Sequence, residues 1–187
     1  MGSVSSTTVS RVSARGHTLW LTGLSGAGKT TTANALCDVL RRAGAAVVVI
    51  DGDALRAGLS SDLGFSAGDR DENVRRAGEI ALLLNTQGVV TIVSLISPRT
   101  EARRAVRARH IENELSFAEI YLATPLSVCE ARDPKALYKR ARAGEQQHMT
   151  GVDDPYEAPE QAEITVSTEL LAPEVLAEDI SRRLGLL

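Results

Sequence analysis

Eight consecutive residues near the start of the chain have the types and spacing of a phosphate-binding loop. Residues 23–30 are Gly-Leu-Ser-Gly-Ala-Gly-Lys-Thr and match G-x-x-x-x-G-K-[ST] at every position. Glycines let several backbone N–H groups converge on phosphate oxygens, Lys29 can reach the outer phosphates, and the Thr30 hydroxyl can ligate Mg²⁺. The alternative is a glycine-rich turn before a helix, but lysine occurs only three times among 21 basic residues. The motif therefore predicts a nucleoside triphosphate site.

A second group of reactive side chains follows the next apolar run. Asp51 and Asp53 flank Gly52, and Arg56 comes three residues later. Carboxylates at a strand end can orient the water around a metal ion or accept a proton from an attacking hydroxyl. The arginine can pair with an anionic acceptor. An ordinary turn with a capping aspartate is the alternative for this group.

Elements that would position these residues alternate along the chain. Short β-branched or apolar runs predict strands, and longer periodic segments predict helices. Such alternation predicts an α/β fold, with a five-stranded parallel sheet and helices on both faces. Ligands then bind at the carboxyl ends of the strands, which both reactive groups follow. The predicted strands are 18–22, 46–50, 89–96, 117–122 and 164–166, and the predicted helices are 28–43, 71–87, 98–113 and 173–186.

Composition narrows the class of protein. The 187 residues carry a net charge of −3, which argues against a nucleic-acid-binding protein, and no apolar run approaches the 18 residues of a membrane span. Two distant cysteines in apolar surroundings predict reduced thiols in the cytoplasm, with a regulatory disulfide as the alternative. Residues 1–16 are polar and serine-rich and predict a mobile arm before a single domain (17–187). The polar segment 133–159 is too long for an ordinary connection and predicts a lid over about 132–160.

Six segments, in this order, closely resemble the adenylylsulfate kinase family. They are GLSGAGKTT, DGDALRAGL, DLGFSAGDRDENVRRAGEIA, ISP, RDPKALYKRARAGE and TGVDDPYEAPE, and the resemblance covers about residues 18–187. The first is shared with the wider superfamily of P-loop kinases, whereas the third and the last are far more specific. The resemblance implies transfer of the γ-phosphate of ATP to the 3′-hydroxyl of adenosine 5′-phosphosulfate (APS), giving 3′-phosphoadenosine 5′-phosphosulfate (PAPS) and ADP. It also implies Mg²⁺ with the ATP, and a homodimer.

The resemblance assigns roles to individual residues. Asp53 would act at the acceptor hydroxyl and Asp51, through water, at the metal ion that Thr30 ligates. Phe65 would stack on the acceptor adenine, although a loop phenylalanine can also belong to the core. Ser97 would line the acceptor site and is phosphorylated in some relatives, with a helix cap before Pro98 as the alternative. The remaining acceptor residues would be Arg56, Arg70, Asn73, Ile96, Lys135 and Met149, and the ATP residues Gly23, Ser25, Gly26, Ala27, Gly28, Lys29, Thr30, Thr31 and Arg132.

Three positions depart from the family pattern. Met149, after His148, stands where relatives usually have the second aromatic ring of the adenine clamp. Arg99 and Thr100 replace the usual aromatic or histidine and arginine, and Ser60 replaces an asparagine. The altered adenine clamp therefore leaves open a P-loop kinase acting on another small anionic nucleotide conjugate. A function of a different class, a nucleotide-dependent switch without turnover, is the remaining alternative.

Overall fold

The computed structural model describes residues 16–187, so all of the predicted N-terminal arm except Gly16 lies outside the described residues. Strands and helices alternate along most of this chain, as the sequence predicts. The elements are β1 (His17–Thr22), α1 (Lys29–Arg42), β2 (Val47–Asp51), α2 (Gly52–Ala57), α3 (Ala67–Thr86), β3 (Val90–Ser94), α4 (Thr100–Glu112), β4 (Ser116–Leu122), α5 (Leu126–Arg132), α6 (Leu137–Arg142), β5 (Ile164–Val166) and α7 (Pro173–Arg183).

The five strands form one sheet in the order β2-β3-β1-β4-β5, and every neighbouring pair is parallel. This confirms the predicted fold class. Strand β1 lies at the centre, so the glycine-rich loop that follows it opens at the middle of the carboxyl edge. The loop after β2 opens at the same edge, two strands away.

Each face of the sheet has its own core. Side chains of β1 alternate between them: Leu19 and Leu21 pack in the cluster that includes α1 and α7, while Trp20 packs with α3 and α4. Trp20 is fully buried and lies 6.0 Å from the Phe117 ring, centroid to centroid. Helices therefore cover both faces in three layers. No helix among residues 16–187 is long and apolar enough to cross a membrane.

Several predicted helix boundaries are wrong. Helix α3 begins at Ala67 rather than at residue 71, because the Ser66 side chain accepts a hydrogen bond from Asp69 N and caps the helix. Helix α4 begins at Thr100, so Pro98 lies outside it, and Arg99 rather than Ser97 is the cap residue. The short helices α2 and α5 were not predicted, and each has only one buried residue.

Candidate active site

A cavity of about 790 Å³ opens at the carboxyl edge of the sheet and gathers residues from segments that are far apart in sequence. Two of the predicted site residues do not line it: Ala27 is buried beneath the loop, and Gly23 contributes a backbone carbonyl to Lys29. The fold thus brings both reactive groups of the sequence into one space. The predicted residues lining it are Ser25, Gly26, Gly28, Lys29, Thr30, Thr31, Asp51, Asp53, Arg56, Phe65, Arg70, Asn73, Ile96, Ser97, Arg132, Lys135 and Met149.

The glycine-rich loop needs its glycines for conformation and for close approach. Gly26 has φ 75°, and a Cβ there would lie 2.8 Å from the Cys129 carbonyl oxygen. Lys29 Nζ donates to Gly23 O at 2.9 Å and to Leu24 O at 2.7 Å, so the ammonium is held inside the curve of the loop. Burial lowers the pKa of Lys29 to about 8. A phosphate bound at this site would place a negative charge beside the enclosed Lys29 ammonium and so favour its protonated form.

Thr30 and Asp51 meet across the cavity floor. The Thr30 hydroxyl donates to Asp51 Oδ2 at 2.9 Å, while Asp51 Oδ1 accepts from Asp53 N at 2.9 Å and caps α2. The predicted turn is thus a capped helix start, and its cap also reaches the glycine-rich loop. These are hard oxygen donors of the kind that Mg²⁺ binds together with substrate phosphates and water. Among residues 16–187, no cluster of three or more His, Cys, Asp or Glu could hold a metal by itself.

The connecting segment (residues 133–163) closes one side of the cavity. Its short helix α6 is anchored by Tyr138, which is almost fully buried and donates its hydroxyl to Ser25 O at 3.0 Å. Lys135 forms an ion pair with Asp53. The cation from the segment thus sits against the carboxylate predicted to act at the acceptor hydroxyl.

Two arginines surround the Phe65 ring at the other end of the cavity. Arg56 Cζ lies 4.5 Å and Arg70 Cζ 5.7 Å from the ring centroid, and Phe65 is 52 % exposed. Arg56 donates to Gly64 O at 2.7 Å, and Arg70 donates to Phe65 O and His148 O. Burial lowers the pKa of both guanidinium groups, yet arginine stays charged throughout the physiological range. This end therefore offers an aromatic face between two cations.

Met149 and Asn73 border this region but are buried. Met149 is 3 % exposed and belongs to the core cluster on the α1 face, while Asn73 on α3 is 5 % exposed. The Asn73 Oδ1 atom has no hydrogen-bond partner among the described residues. The Phe65 ring is thus exposed, whereas the Met149 side chain is packed within the wall of the cavity.

Ser97 lies in a buried hydrogen-bond chain rather than at a helix start. Its Oγ accepts from Trp20 Nε1 at 3.1 Å and donates to Thr22 Oγ1 at 2.9 Å, and the Thr22 hydroxyl also meets Tyr156 Oη at 2.9 Å. Thr22 donates to Ile96 O at 2.8 Å as well. The chain fixes the loop after β3, where Ser97 has φ 41°. The helix-cap alternative for Ser97 is wrong.

A buried arginine that sequence reasoning missed ties this loop to the connecting segment. Arg103 is 2 % exposed, donates to Ser97 O and Glu157 O at 2.7 Å each, and pairs with Glu119 at 2.6 Å. Glu157 in turn accepts from Thr100 N at 2.7 Å, and this bond lowers the pKa of its carboxyl group. Helix α4 carries many arginines, so nothing in its pattern distinguishes Arg103.

Arg132 and a missed threonine border the glycine-rich loop on the other side. Arg132 donates to Thr168 Oγ1 at 2.7 Å and to Gly26 O at 3.3 Å. Thr168 Oγ1 donates to Ala27 O at 2.9 Å, and its side chain lies 3.0 Å from where a Gly28 Cβ would be. Thr168 lies two residues after the end of β5, so its position near a strand end was the available signal.

Comparison with known proteins identifies the relatives of this chain. The family model described as adenylylsulphate kinase matches residues 15–167. An adenylyl-sulfate kinase of Escherichia coli is 50% identical over 164 residues, which is 88% of this chain and 81% of the relative. The Mycobacterium tuberculosis APS kinase, solved in complex with AMPPNP and APS, superimposes with a TM-score of 0.89 at 42% identity, covering 92% of this chain and 99% of that one. The hexameric APS kinase of Thiobacillus denitrificans gives 0.69 at 36% identity, over 92% of this chain and 29% of that one.

Proposed function

Because this chain belongs to the adenylylsulfate kinase family, we propose that it transfers the γ-phosphate of ATP to the 3′-hydroxyl of APS, giving PAPS and ADP. One observation carries the proposal. A single cavity holds a phosphate loop at one end, an aromatic ring between two arginines at the other, and Asp53 among its lining residues. Such a cavity suits two anionic nucleotides whose reacting ends meet.

The donor end binds the triphosphate. Backbone N–H groups of residues 23–31 would hold the phosphate oxygens, Lys29 would leave its two carbonyl partners for the γ-phosphate, and Arg132 would close over the nucleotide. Thr30, with Asp51 through water, would hold Mg²⁺, which when bound neutralises charge on the phosphate oxygens. The two side chains that meet at 2.9 Å supply suitable oxygen donors.

The acceptor end binds APS. Phe65 would stack on the adenine, and Arg56, Arg70 and Asn73 would hold the phosphosulfate, with Ile96, Ser97 and Met149 forming the wall. Asp53 would accept the proton of the 3′-hydroxyl. The hydroxyl oxygen would bond to the γ-phosphorus as the bond between that phosphorus and the ADP oxygen breaks. Lys135, now paired with Asp53, would move to the transferring phosphoryl group. The segment that carries it would then act as a lid that excludes water.

Ser97 would line the site without carrying the phosphoryl group. Its hydroxyl is buried and engaged with Trp20 and Thr22, which supports direct transfer between the two nucleotides. We further propose, on the family resemblance, that the protein forms a homodimer. The two buried free thiols support a location in the cytoplasm. No nucleic acid or membrane is expected as a partner.

One observation favours a second candidate acceptor. Met149 is a packed wall where relatives usually carry a second ring, so the pocket at Phe65 could accept another anionic nucleotide conjugate. The decisive test incubates the protein with Mg-ATP and APS and detects the product by mass, with other nucleotide phosphoesters as competitors. PAPS formation that competitors barely inhibit supports the proposal. Preferred phosphorylation of a competitor would favour the second acceptor. ATP binding without any product would indicate a nucleotide-dependent switch without turnover.

A further inference from the structure

Ser94, the last residue of β3, is a buried hydroxyl with no partner in a cavity otherwise rich in hydrogen bonds. It is 3 % exposed and lines the active-site cavity. Its Oγ makes no hydrogen bond to any atom of residues 16–187. A buried hydroxyl without a partner is unfavourable, so such an atom in a cavity points to a ligand that supplies the missing bond.

The strand register shows which ligand is within reach. Ser94 pairs with Asp51 on β2 and with Leu21 on β1. Side chains along β3 alternate, and Ile92 packs in the cluster that includes α1, so Ser94 faces α1 as well. Asp51 lies on that same face, two residues after Val49. Ser94 and Asp51 are therefore neighbours on the face where α1 begins.

Thr30, in the first turn of α1, also lies beside Asp51, because its hydroxyl donates to the Asp51 carboxylate. Asn73 is the other cavity-lining residue with a partnerless buried atom, but it belongs to α3 on the opposite face of the sheet. The two partnerless atoms are thus separated by the sheet edge. Asn73 faces the acceptor end, and Ser94 faces the metal end.

We propose that Ser94 is a positioning residue of the metal site: its hydroxyl accepts a hydrogen bond from a water molecule on the Mg²⁺ ion that Thr30 and Asp51 hold. Mg²⁺ usually retains several waters when it binds with a nucleotide, and those waters donate to nearby oxygens. A side chain that fixes such a water acts on the metal through it and touches neither nucleotide. The inference rests on the proposed function, because the ion arrives with ATP.

The test measures metal affinity without turnover. Protein saturated with ADP is titrated with Mn²⁺, and free Mn²⁺ is followed by electron paramagnetic resonance. Ser94→Ala should raise the Mn²⁺ Kd about tenfold, as losses of outer-shell partners do. Ser94→Thr, which keeps the hydroxyl, should restore it to within about twofold. Ser60→Ala is the matched control, since Ser60 Oγ is also buried without a partner among the described residues but lies outside the cavity.

Two results would overturn the proposal. One is an unchanged Mn²⁺ Kd in Ser94→Ala, and the other is a raised KM for APS with metal affinity unaltered, which would assign the hydroxyl to the acceptor. If Ser94→Ala loses its cooperative unfolding transition, Ser94→Cys enters the same titration, since a thiol keeps the volume but bonds weakly. The Mn²⁺ titration needs neither APS nor product. A wild-type protein that makes no PAPS would therefore refute the kinase proposal and leave this result standing.

Discussion

The two ends of the cavity are built in different ways. The donor end is mostly one continuous stretch, residues 23–31, whose shape follows from local backbone conformation and from the start of α1. The acceptor end is assembled from the loop before α3, the loop after β3 and the connecting segment, which are far apart in sequence. Its parts are joined by Arg70 to His148, and by Arg103 to Ser97 and Glu157.

The two ends should therefore respond differently to substitution. A change at the donor end would remove a group that we propose to contact phosphate, and it should leave the scaffold intact. A change at the acceptor end can act at a distance, because its wall is held by buried hydrogen bonds between segments. Five predictions test this contrast.

Replacing Arg103 should have the largest effect. Among residues 16–187, Arg103→Leu leaves the buried Glu119 carboxylate with only a 3.4 Å ion pair to Arg107, so the free energy of unfolding should fall by roughly 3–5 kcal/mol. Urea unfolding measures this. The KM for APS should rise while the Kd for ADP changes less than twofold. Arg104→Leu is the control: Arg104 is exposed, and its change should cost less than about 0.5 kcal/mol. An equal rise in the Kd for ADP and in the KM for APS would contradict the proposed difference between the two ends.

Removing the lysine of the phosphate loop should damage chemistry rather than folding. Lys29→Ala should lower kcat by about 10²–10³, as the loss of one preorganised donor does, with little change in Tm. Steady-state kinetics and a thermal scan measure the two effects. Lys139→Ala, in an exposed position of α6 outside the cavity, should retain wild-type turnover. A Lys29→Ala protein that unfolds, or one that turns over normally, contradicts the assigned role.

Phe65 and Met149 should respond in opposite ways to truncation. Phe65→Ala removes an exposed ring and should raise the KM for APS by about tenfold, with little loss of stability. Met149→Ala opens a cavity in a packed region, so the free energy of unfolding should fall by about 2–5 kcal/mol, with a smaller change in KM. Kinetics and urea unfolding on both variants decide the matter. A larger KM effect at Met149 would mean that the thioether, not the ring, carries the adenine.

Nucleotide affinity should depend on pH through Lys29. Burial lowers its pKa to about 8 in the free protein, and bound phosphate favours the protonated form. Binding is therefore coupled to proton uptake, and affinity is lost as pH rises through 8. The Kd for ADP should increase about tenfold between pH 7 and pH 9. Calorimetry in buffers of different ionisation enthalpy measures the proton uptake directly. Lys29→Ala should show neither effect.

The same contrast explains what the sequence could predict. The donor end and the parallel sheet were predictable, because the loop motif and the β-branched runs are local patterns. The helix start at Ser66 was not, since its cap depends on one hydrogen bond that several nearby residues could make. The start of α4 was not either, because Arg99 makes no side-chain cap and Thr100 N donates to Glu157, far along the chain. Arg103 and Thr168 were missed, because their importance comes from contacts between segments. Ser94 was missed, because a buried hydroxyl without a partner is recognised only in the folded structure. Met149 was predicted to face the adenine, and its packing could not be read from a single position.

The smallest effect should come from adding a ring to the acceptor wall. Met149→Phe should tighten APS by up to roughly 1 kcal/mol, about fivefold, since a second rigid ring would complete a sandwich with Phe65. The affinity for ATP should stay the same, because in the proposed function the donor nucleotide binds at the other end. Isothermal titration of APS and of ATP, each without the other substrate, measures both. The added volume strains a buried position, so Met149→Leu serves as the control for packing alone. If Met149→Phe weakens APS or blocks turnover while Met149→Leu does not, the pocket is shaped for a different acceptor.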